Sequence, residues 1–268
     1  MTASIPAPAI ADAIVRLRAA GCVFAEDEAA VLTAAAPDAA TLGDLVRRRA
    51  HGEPLEQVVG YADFCGLRVR LRPGVFVPRI RSELLVRRGT EAAARVQAGT
   101  TAAPIVIDLC CGSGALGLAV RRHVPGIDLY AADLDPVAVA CARDNFAPHH
   151  DRVFQGDLFD PLPARLKGTI NVLLANVPYV ATGHIPLLPA EARDHEPHTA
   201  LDGGGDGLDV FRAVISQAPH WLAPGGLVLS EITEAQIDAA TDAVRLAGLE
   251  PEITADDDLE ATIIGGRR

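Results

Sequence analysis

Short apolar runs alternate with amphipathic segments from Pro104 to the end of the chain, and this alternation is the strongest constraint on the fold. The apolar runs predict strands over 105–109, 127–132, 152–155, 170–175 and 226–232, with two more around Asp256-Asp257-Asp258. The segments between them predict helices over 114–123, 136–146, 207–220 and 234–246. Strands that alternate with helices on this scale indicate an α/β domain with a seven-stranded, mostly parallel sheet.

The first part of the chain has a different pattern. Apolar residues at helical spacing predict short helices, and Thr41 with Asp44 resembles a capping box that would open the third of them. From Gly60 the apolar period becomes two, and Pro73-Gly74 predicts the turn of a hairpin. We therefore expect a helical, substrate-recognising domain with a hairpin over 1–75, followed by the main domain over 76–268.

The composition limits the classes of partner and the environment that we expect for this chain. With 268 residues and 49% hydrophobic residues, it can bury a core without disulfides or a structural metal. The net charge of −11 disfavours a nucleic-acid substrate, because phosphate contacts require a basic face. No apolar run is long enough to cross a membrane, and the N-terminus has no basic region before an apolar core. The five cysteines form no CxxC pair, which predicts a reduced, cytoplasmic protein without bound metal.

A glycine turn follows the first strand of the main domain, in the segment IVIDLCCGSGALGLAV (105–120). Gly112 and Gly114 allow a sharp turn and a close approach of the backbone to a ligand. In doubly wound folds this is where nucleotides bind. The spacing is not that of a dinucleotide-binding GxGxxG motif, so a nicotinamide cofactor is not favoured.

Acidic residues follow the next two strands. Asp133 comes about 20 residues after the glycines, where a carboxylate can accept hydrogen bonds from ribose hydroxyls. Gly156-Asp157 follows the third strand, in a position to meet an adenine ring. Together with the glycine turn, these features resemble a class I S-adenosylmethionine-dependent methyltransferase, which has a Rossmann-like fold.

The fourth strand runs directly into Asn176-Val177-Pro178-Tyr179. This NVPY sequence resembles the N-P-P-Y motif of methyltransferases that act on planar nitrogen. The wider sequence resembles the HemK/PrmC family of protein-(glutamine-N5) methyltransferases, which methylate the glutamine of the Gly-Gly-Gln loop in peptide-chain release factors. The other matching segments are GEPLEQVVG (52–60), PGVFVPRIRSELLV (73–86), HEPHTALDGGGDGLDVFR (195–212) and GGLVLSEI (225–232) followed by Gln236.

The resemblance implies roles for residues in three groups. Those expected in catalysis are Asn176, whose side-chain oxygen would accept one amide N–H, Val177, whose backbone carbonyl would accept the other, Pro178 and Tyr179. Those expected to bind S-adenosylmethionine, and S-adenosylhomocysteine as product, are Asp108, Cys110, Cys111, Gly112, Ser113, Gly114, Asp133, Leu134, Asp157, Leu158 and Asn176. Those expected on the substrate side are Arg79, Glu83, Glu196 and Pro197. No metal is expected.

Several positions depart from the family pattern. Val177 replaces the first proline of N-P-P-Y, and Gln57 replaces a tyrosine. Ile80, Arg81 and Ser82 replace P-x-T. The glycine turn and the last core strand also differ, with Cys110-Cys111 for Gly-Thr and Thr233 for glycine. These departures leave the acceptor open, a release factor included, whereas methyl transfer itself is still expected.

Three alternatives to a protein glutamine therefore stay open. The first is a small-molecule or peptide amide or amine as acceptor. The second is DNA adenine, because that class shares the N-P-P-Y motif, but the acidity and the lack of a target-recognition domain after the core disfavour it. The third is a non-catalytic binding module that kept the fold, which the intact glycine turn, Asp133 and Asn176 disfavour.

Overall fold

The structure of the protein is a computed structural model, of which residues 5–268 are described. Its N-terminal part is a small helical cluster followed by a hairpin. The helices are α1 (Ala7–Ala19), α2 (Ala25–Ala35), α3 (Ala39–Ala50) and α4 (Leu55–Val59), and the antiparallel strands are β1 (Tyr61–Phe64) and β2 (Leu67–Arg70). The helices bury a core of their own around Leu17, Leu32 and Val46. The division into domains at 75 and 76 stays a prediction, and its first four residues lie outside the described part.

Two predictions for this region are wrong. Helix α3 is capped by Asp38, whose carboxylate accepts a hydrogen bond from the Thr41 backbone N–H at 2.8 Å, so Thr41 lies inside the helix. The hairpin turns at Cys65-Gly66 and not at Pro73-Gly74. Both turn residues have positive φ angles, 47° and 72°, which is the conformation that matches the twist of paired strands.

Seven strands of the described residues form the central sheet. They are β3 (Ile105–Leu109), β4 (Asp128–Asp133), β5 (Val153–Gln155), β6 (Ile170–Ala175), β7 (Leu222–Ile232), β8 (Glu250–Asp256) and β9 (Ala261–Arg267). Their order is β5-β4-β3-β6-β7-β9-β8. Strands β3 to β7 are parallel, and β9 runs antiparallel to both of its neighbours. The predicted α/β class with a mostly parallel sheet is confirmed, although β7 begins earlier than predicted.

Helices cover both faces of the sheet. In chain order, the helices of this part are α5 (Glu83–Gly99), α6 (Ala115–His123), α7 (Pro136–Phe146), the short helices α8 (Ala190–His195) and α9 (His198–Leu201), α10 (Asp209–Trp221) and α11 (Ile237–Leu246). One core joins α5, α6 and α7 to the sheet, and a second core joins α10 and α11 to its other face. Within residues 5–268, no helix is long and apolar enough to cross a membrane.

The sheet order creates the place for a site. Strand β3 lies between β4 and β6, and the chain passes from β3 to β4 and β5 on one side before it continues with β6 and β7 on the other, so its direction of travel across the sheet reverses beside β3. In open parallel sheets, ligands bind outside the carboxyl ends of the strands at this reversal. The glycine turn follows β3, Asp133 ends β4 and Asn176 follows β6, so all three meet at that edge.

Candidate active site

A cavity of about 450 Å³ opens at this edge of the sheet. Its size is within the range of small-ligand sites. Most of the predicted site residues line it. These are Cys110, Cys111, Gly112, Ser113, Asp133, Leu134, Asp157, Leu158, Asn176, Val177, Pro178, Tyr179 and Pro197. The cavity thus joins the predicted cofactor turn to the predicted catalytic motif.

Asp108 and Gly114 do not line the cavity but lie behind its wall. The Asp108 carboxylate is fully buried, and its Oδ2 accepts a hydrogen bond from the Gly117 backbone N–H at 2.8 Å. Its Oδ1 has no partner among the described residues, and burial raises the pKa of Asp108 to about 7. Gly114 begins α6 with φ of 78°, and a Cβ there would meet the Phe146 ring at 2.7 Å. Both residues therefore shape the turn from within the core.

Arg79, Glu196 and Glu83 also lie outside the cavity lining. Arg79 forms an ion pair with the buried Glu196 at 2.7 Å. The second oxygen of Glu196 accepts a hydrogen bond from the Val77 backbone N–H at 3.2 Å. Glu83 lies in the first turn of α5. The Arg79–Glu196 pair therefore fastens the segment before α5 to the loop that contains Pro197, and both segments border the cavity.

Asp133 fastens the glycine turn to the neighbouring strand. Its Oδ2 accepts a hydrogen bond from the Gly112 backbone N–H at 2.8 Å, and its Oδ1 accepts one from the Asp135 backbone N–H at 2.9 Å. Burial raises the pKa of Asp133, while these hydrogen bonds lower it. A carboxylate has about four lone-pair sites, so Asp133 keeps the capacity to accept from ribose hydroxyls.

The glycine turn leaves room for a ligand. Gly112 has φ of 55°, and a Cβ built on it would meet nothing within 4 Å, because the cavity lies there. Burial raises the pKa of the Cys110 and Cys111 thiols, so neither is a reactive thiolate. The open backbone, the acceptor capacity of Asp133 and the cavity volume fit an adenosine-containing cofactor such as S-adenosylmethionine.

A hydrogen-bonded network supports the Asn176 side of the cavity. Glu231, on β7, is 2% exposed. Its Oε1 accepts hydrogen bonds from the Tyr179 hydroxyl and from Arg81 Nε, the latter at 2.6 Å, and its Oε2 accepts from the Ser82 hydroxyl at 2.8 Å. Asn176 Nδ2 donates to Ser82 Oγ at 3.3 Å. Burial raises the pKa of the Tyr179 hydroxyl, so it stays protonated and donates to Glu231.

Sequence reasoning did not find this network. Arg81 and Ser82 stood out only as departures from the family pattern, and Glu231 only as part of a strand. A signal was nevertheless present, because Glu231 interrupts the apolar run LVLSEI, and a carboxylate buried in a central strand requires partners. What the sequence alone does not give is their identity, since they come from segments far away along the chain.

A second, larger groove of about 1080 Å³ adjoins the cavity. The two share Arg81, Tyr179 and Val180. Acidic side chains line the groove, namely Asp206, Glu231, Glu234, Asp256, Asp257 and Glu260. Arg81 lies at the junction, and its Nη1 and Nη2 make no hydrogen bond to any described residue. An acceptor that entered along this groove would pass Arg81 before reaching Asn176.

Gln57 connects the helical cluster to the cavity wall. Its side chain is buried; Nε2 donates to the Val75 carbonyl at 3.0 Å, and Oε1 accepts from the Gly74 backbone N–H at 3.4 Å. Gly74 and Val75 both line the cavity. The glutamine that replaces the family tyrosine therefore holds this segment through backbone hydrogen bonds. No group of three or more His, Cys, Asp or Glu residues within 5–268 is arranged to hold a metal ion.

The chain is similar to known methyltransferases over most of its length. The family model described as "Methyltransferase small domain" matches residues 67–206. The release factor glutamine methyltransferase of Geobacter sulfurreducens is 34% identical over 226 residues, which are 83% of this chain and 76% of that protein. The 4-amino-L-phenylalanine/4-methylamino-L-phenylalanine methyltransferase of Streptomyces pristinaespiralis is 39% identical over 207 residues, 76% of this chain and 69% of that protein.

A solved structure supports the fold. The N-terminal domain of human METTL16 in complex with SAH matches with a TM-score of 0.55 and 13% identity, over 84% of this chain and 82% of that one. The predicted family, the fold class and the S-adenosylmethionine cofactor are confirmed by the family model and the relatives. The chain therefore belongs to the release factor glutamine methyltransferase family and is an S-adenosylmethionine-dependent methyltransferase.

Proposed function

We propose that this protein methylates the side-chain amide nitrogen of a glutamine in a protein substrate, of the kind found in the Gly-Gly-Gln loop of a peptide-chain release factor. The observation that carries the proposal is the shared cavity, in which the Gly112 turn and the Asn176-Val177-Pro178-Tyr179 motif face the same space. Family membership supports it, because the Geobacter sulfurreducens relative and further relatives at 32–36% identity are named release factor glutamine methyltransferases.

The reaction depends more on orienting the acceptor amide than on a general base. An amide nitrogen is a poor nucleophile, because its lone pair is delocalised into the carbonyl group. S-adenosylmethionine supplies an electrophilic methyl group when it is bound: transfer would break its S–CH3 bond, form the N–CH3 bond, and release S-adenosylhomocysteine and one amide proton to solvent. The Asn176 side-chain oxygen and the Val177 backbone carbonyl would accept the two N–H groups of the acceptor and so hold its nitrogen in place. Tyr179 would pack against the flat amide, while Pro178 keeps the backbone rigid.

The neighbouring groove supports a polypeptide acceptor. Its volume of about 1080 Å³ exceeds that of the cavity itself, so a loop can enter alongside the reacting side chain. Its acidic lining favours an acceptor segment that carries basic residues and would repel the phosphates of DNA. We place substrate recognition in this groove together with the N-terminal domain predicted over 1–75 and the segment that Arg79 and Glu196 fasten. We also propose action in the cytoplasm, since all five cysteines are free.

A second candidate acceptor is a free aromatic amino acid with an amino group on its ring. The observation that favours it is Arg81 at the junction of cavity and groove, whose Nη1 and Nη2 have no hydrogen-bond partner in the described part of the chain. A guanidinium in this position can bind a carboxylate with two parallel hydrogen bonds. The 39% identical relative is named for 4-amino-L-phenylalanine, which carries both an aromatic amine and a carboxylate.

Mass spectrometry after incubation with S-adenosylmethionine tests the two acceptors side by side. One reaction contains a purified bacterial release factor, and the other contains 4-amino-L-phenylalanine. We expect the Gly-Gly-Gln peptide to gain the mass of one methylene group, and we expect no gain with Asn176→Ala. A gain on the amino acid alone would overturn the glutamine assignment and establish the second candidate.

A further inference from the structure

We infer that Glu231 and Ser82 are positioning residues that fix which end of the Asn176 side-chain amide faces the acceptor. Neither residue needs to touch the acceptor to do this. The relay runs from Asn176 through the Ser82 hydroxyl to the Glu231 carboxylate. The inference rests on the proposed function only where it speaks of the acceptor, because the orientation itself is a property of the free protein.

The direction of the relay follows from the number of protons. The Glu231 carboxylate only accepts hydrogen bonds, and the Ser82 hydroxyl has a single proton. Ser82 donates that proton to Glu231 Oε2 at 2.8 Å, so towards Asn176 its oxygen can only accept. Asn176 must therefore donate with Nδ2, at 3.3 Å from Ser82 Oγ. Its Oδ1 is left as the polar atom available to the acceptor.

Glu231 is the last residue of this relay, and its neighbours keep its carboxylate in place. It is 2% exposed, and a buried carboxylate requires a positive partner and hydrogen bonds. Arg81 supplies the charge at 2.6 Å, and the Tyr179 hydroxyl donates to the same oxygen. These two donors occupy Oε1, which leaves Oε2 for Ser82. Both carboxylate oxygens thus have assigned donors.

The orientation of Asn176 matters because the two ends of a carboxamide have the same size but opposite hydrogen-bonding character. An acceptor NH2 group requires an oxygen opposite it. If the Asn176 amide turned over, Nδ2 would face the acceptor, and two donors would oppose each other without a hydrogen bond. The relay prevents this, because Ser82 Oγ would lose its hydrogen-bond donor if the Asn176 amide turned over.

Ser82→Ala cuts the relay and leaves the Glu231, Arg81 and Tyr179 contacts in place. The acceptor in this experiment is the one that the wild type methylates, either the release factor or 4-amino-L-phenylalanine. With saturating S-adenosylmethionine, we expect the kcat of Ser82→Ala to be about 10- to 100-fold below that of the wild type. The Kd for S-adenosylmethionine stays within about two-fold, because Ser82 acts on the acceptor side. Ser82→Thr restores the hydroxyl, and we expect it to restore kcat to within a few-fold of the wild type.

Ser230→Ala is the matched control. Ser230 precedes Glu231 on β7, is equally buried, and donates its hydroxyl proton to the Ala175 carbonyl at 2.7 Å, next to Asn176 in the chain. Ser230→Ala therefore removes a buried hydroxyl hydrogen bond, as Ser82→Ala does, but one that is not part of the relay. We expect a lower midpoint of thermal unfolding for both alanine variants, but the large loss of kcat for Ser82→Ala alone. Equal losses of kcat, an unchanged kcat in Ser82→Ala, or no rescue by Ser82→Thr would overturn the inference.

Nuclear magnetic resonance of the free protein separates this inference from the proposed function. The side-chain NH2 resonances of Asn176 are identified by their loss in Asn176→Asp. We expect them to move in Ser82→Ala, to return in Ser82→Thr and to stay in place in Ser230→Ala; resonances that do not respond to Ser82→Ala would overturn the relay. If the wild type methylates neither acceptor, the proposed function fails while these resonances still decide the relay.

Discussion

The two halves of the cavity, one proposed to bind the cofactor and the other the acceptor, are built in different ways. On the cofactor side, the turn after β3 is held by one carboxylate, Asp133, at the end of the adjacent strand, and its partners are backbone N–H groups. On the acceptor side, Asn176 depends on side chains from two distant segments, Ser82 and Glu231. A backbone-anchored turn tolerates changes of side chain, whereas a side-chain network changes with each substitution. The comparison explains how a family can keep its cofactor while its members differ in acceptor.

The largest expected effect is on the acceptor side. Asn176→Ala removes the oxygen that would hold the acceptor N–H, and we expect kcat to fall by about 10²- to 10³-fold, as when a charge-stabilising hydrogen-bond partner is removed from an active site. The Kd for S-adenosylmethionine should change little. Steady-state kinetics with the methylated acceptor, together with calorimetric titration of the cofactor, measure the two quantities.

Asn171→Ala is the control for that experiment. Asn171 lies at the start of β6, the strand that Asn176 follows, and its Oδ1 accepts a hydrogen bond from the Ile105 backbone N–H at 2.8 Å. We expect it to lower the free energy of unfolding without changing kcat. If Asn176→Ala methylated its acceptor at the wild-type rate, the assignment of Asn176 to the acceptor would be wrong.

The next effect is on the cofactor side. Asp133→Ala removes the acceptor for the Gly112 N–H and the carboxylate expected to bind ribose. Losing both is expected to weaken S-adenosylmethionine binding by about 100-fold, roughly 3 kcal/mol, with a smaller change in kcat at saturating cofactor. Asp128→Ala, at the other end of β4 and paired with Arg152, should leave the Kd unchanged. Equal affinities in the wild type and Asp133→Ala would contradict this assignment.

A third prediction concerns pH and the core behind the glycine turn. Burial raises the pKa of Asp108 to about 7 in the folded protein, whereas an unfolded aspartate titrates near ~4. Between these values the folded state keeps a proton that the unfolded state has released. The free energy of unfolding therefore falls as the pH rises from 5 to 7, and Asp108 contributes about 2 kcal/mol to this fall.

Asp108→Asn tests this contribution, because an amide does not titrate and still accepts the Gly117 N–H bond. Chemical denaturation of both proteins at pH 5 and pH 7 gives the difference between their pH dependences, in which the other titrating groups cancel. We expect the wild type to lose more stability over this range than Asp108→Asn. Parallel pH dependences would mean that the folded Asp108 carboxyl titrates at an ordinary pKa.

The contrast between the two halves also explains how much the sequence could predict. The strands, the glycine turn and Asp133 follow from local patterns, because residues that end adjacent parallel strands meet at one edge whatever their side chains are. The structure accordingly places Gly112, Asp133 and Asn176 around one cavity. For the same reason the family motif around Asn176 could be recognised in the sequence without knowledge of its surroundings.

The partners of Asn176 could not be predicted in this way. Ser82 precedes α5 and Glu231 lies on β7, and their contact depends on how α5 packs across the sheet. The prediction of a hairpin turn at Pro73-Gly74 is wrong for a related reason, since this pair is a strong local turn signal. Tertiary contacts decide otherwise, because the segment after β2 is held by Gln57 instead of pairing as a strand.

The smallest expected effect comes from restoring the family proline at the acceptor. In Val177→Pro the backbone carbonyl is kept, and the lost N–H makes no hydrogen bond to another backbone group of the described residues. Val177 is 2% exposed, and proline is of similar size, so little packing is lost. The ring fixes φ near ~−65° and stiffens the segment that holds the acceptor.

We expect the kcat of Val177→Pro on the preferred acceptor to stay within about 3-fold of the wild-type value, a difference of less than about 1 kcal/mol, with an unchanged Kd for S-adenosylmethionine. Kinetics on the release factor and on 4-amino-L-phenylalanine would measure this, and a loss greater than 10-fold on the preferred acceptor would show that the acceptor side is adapted to valine.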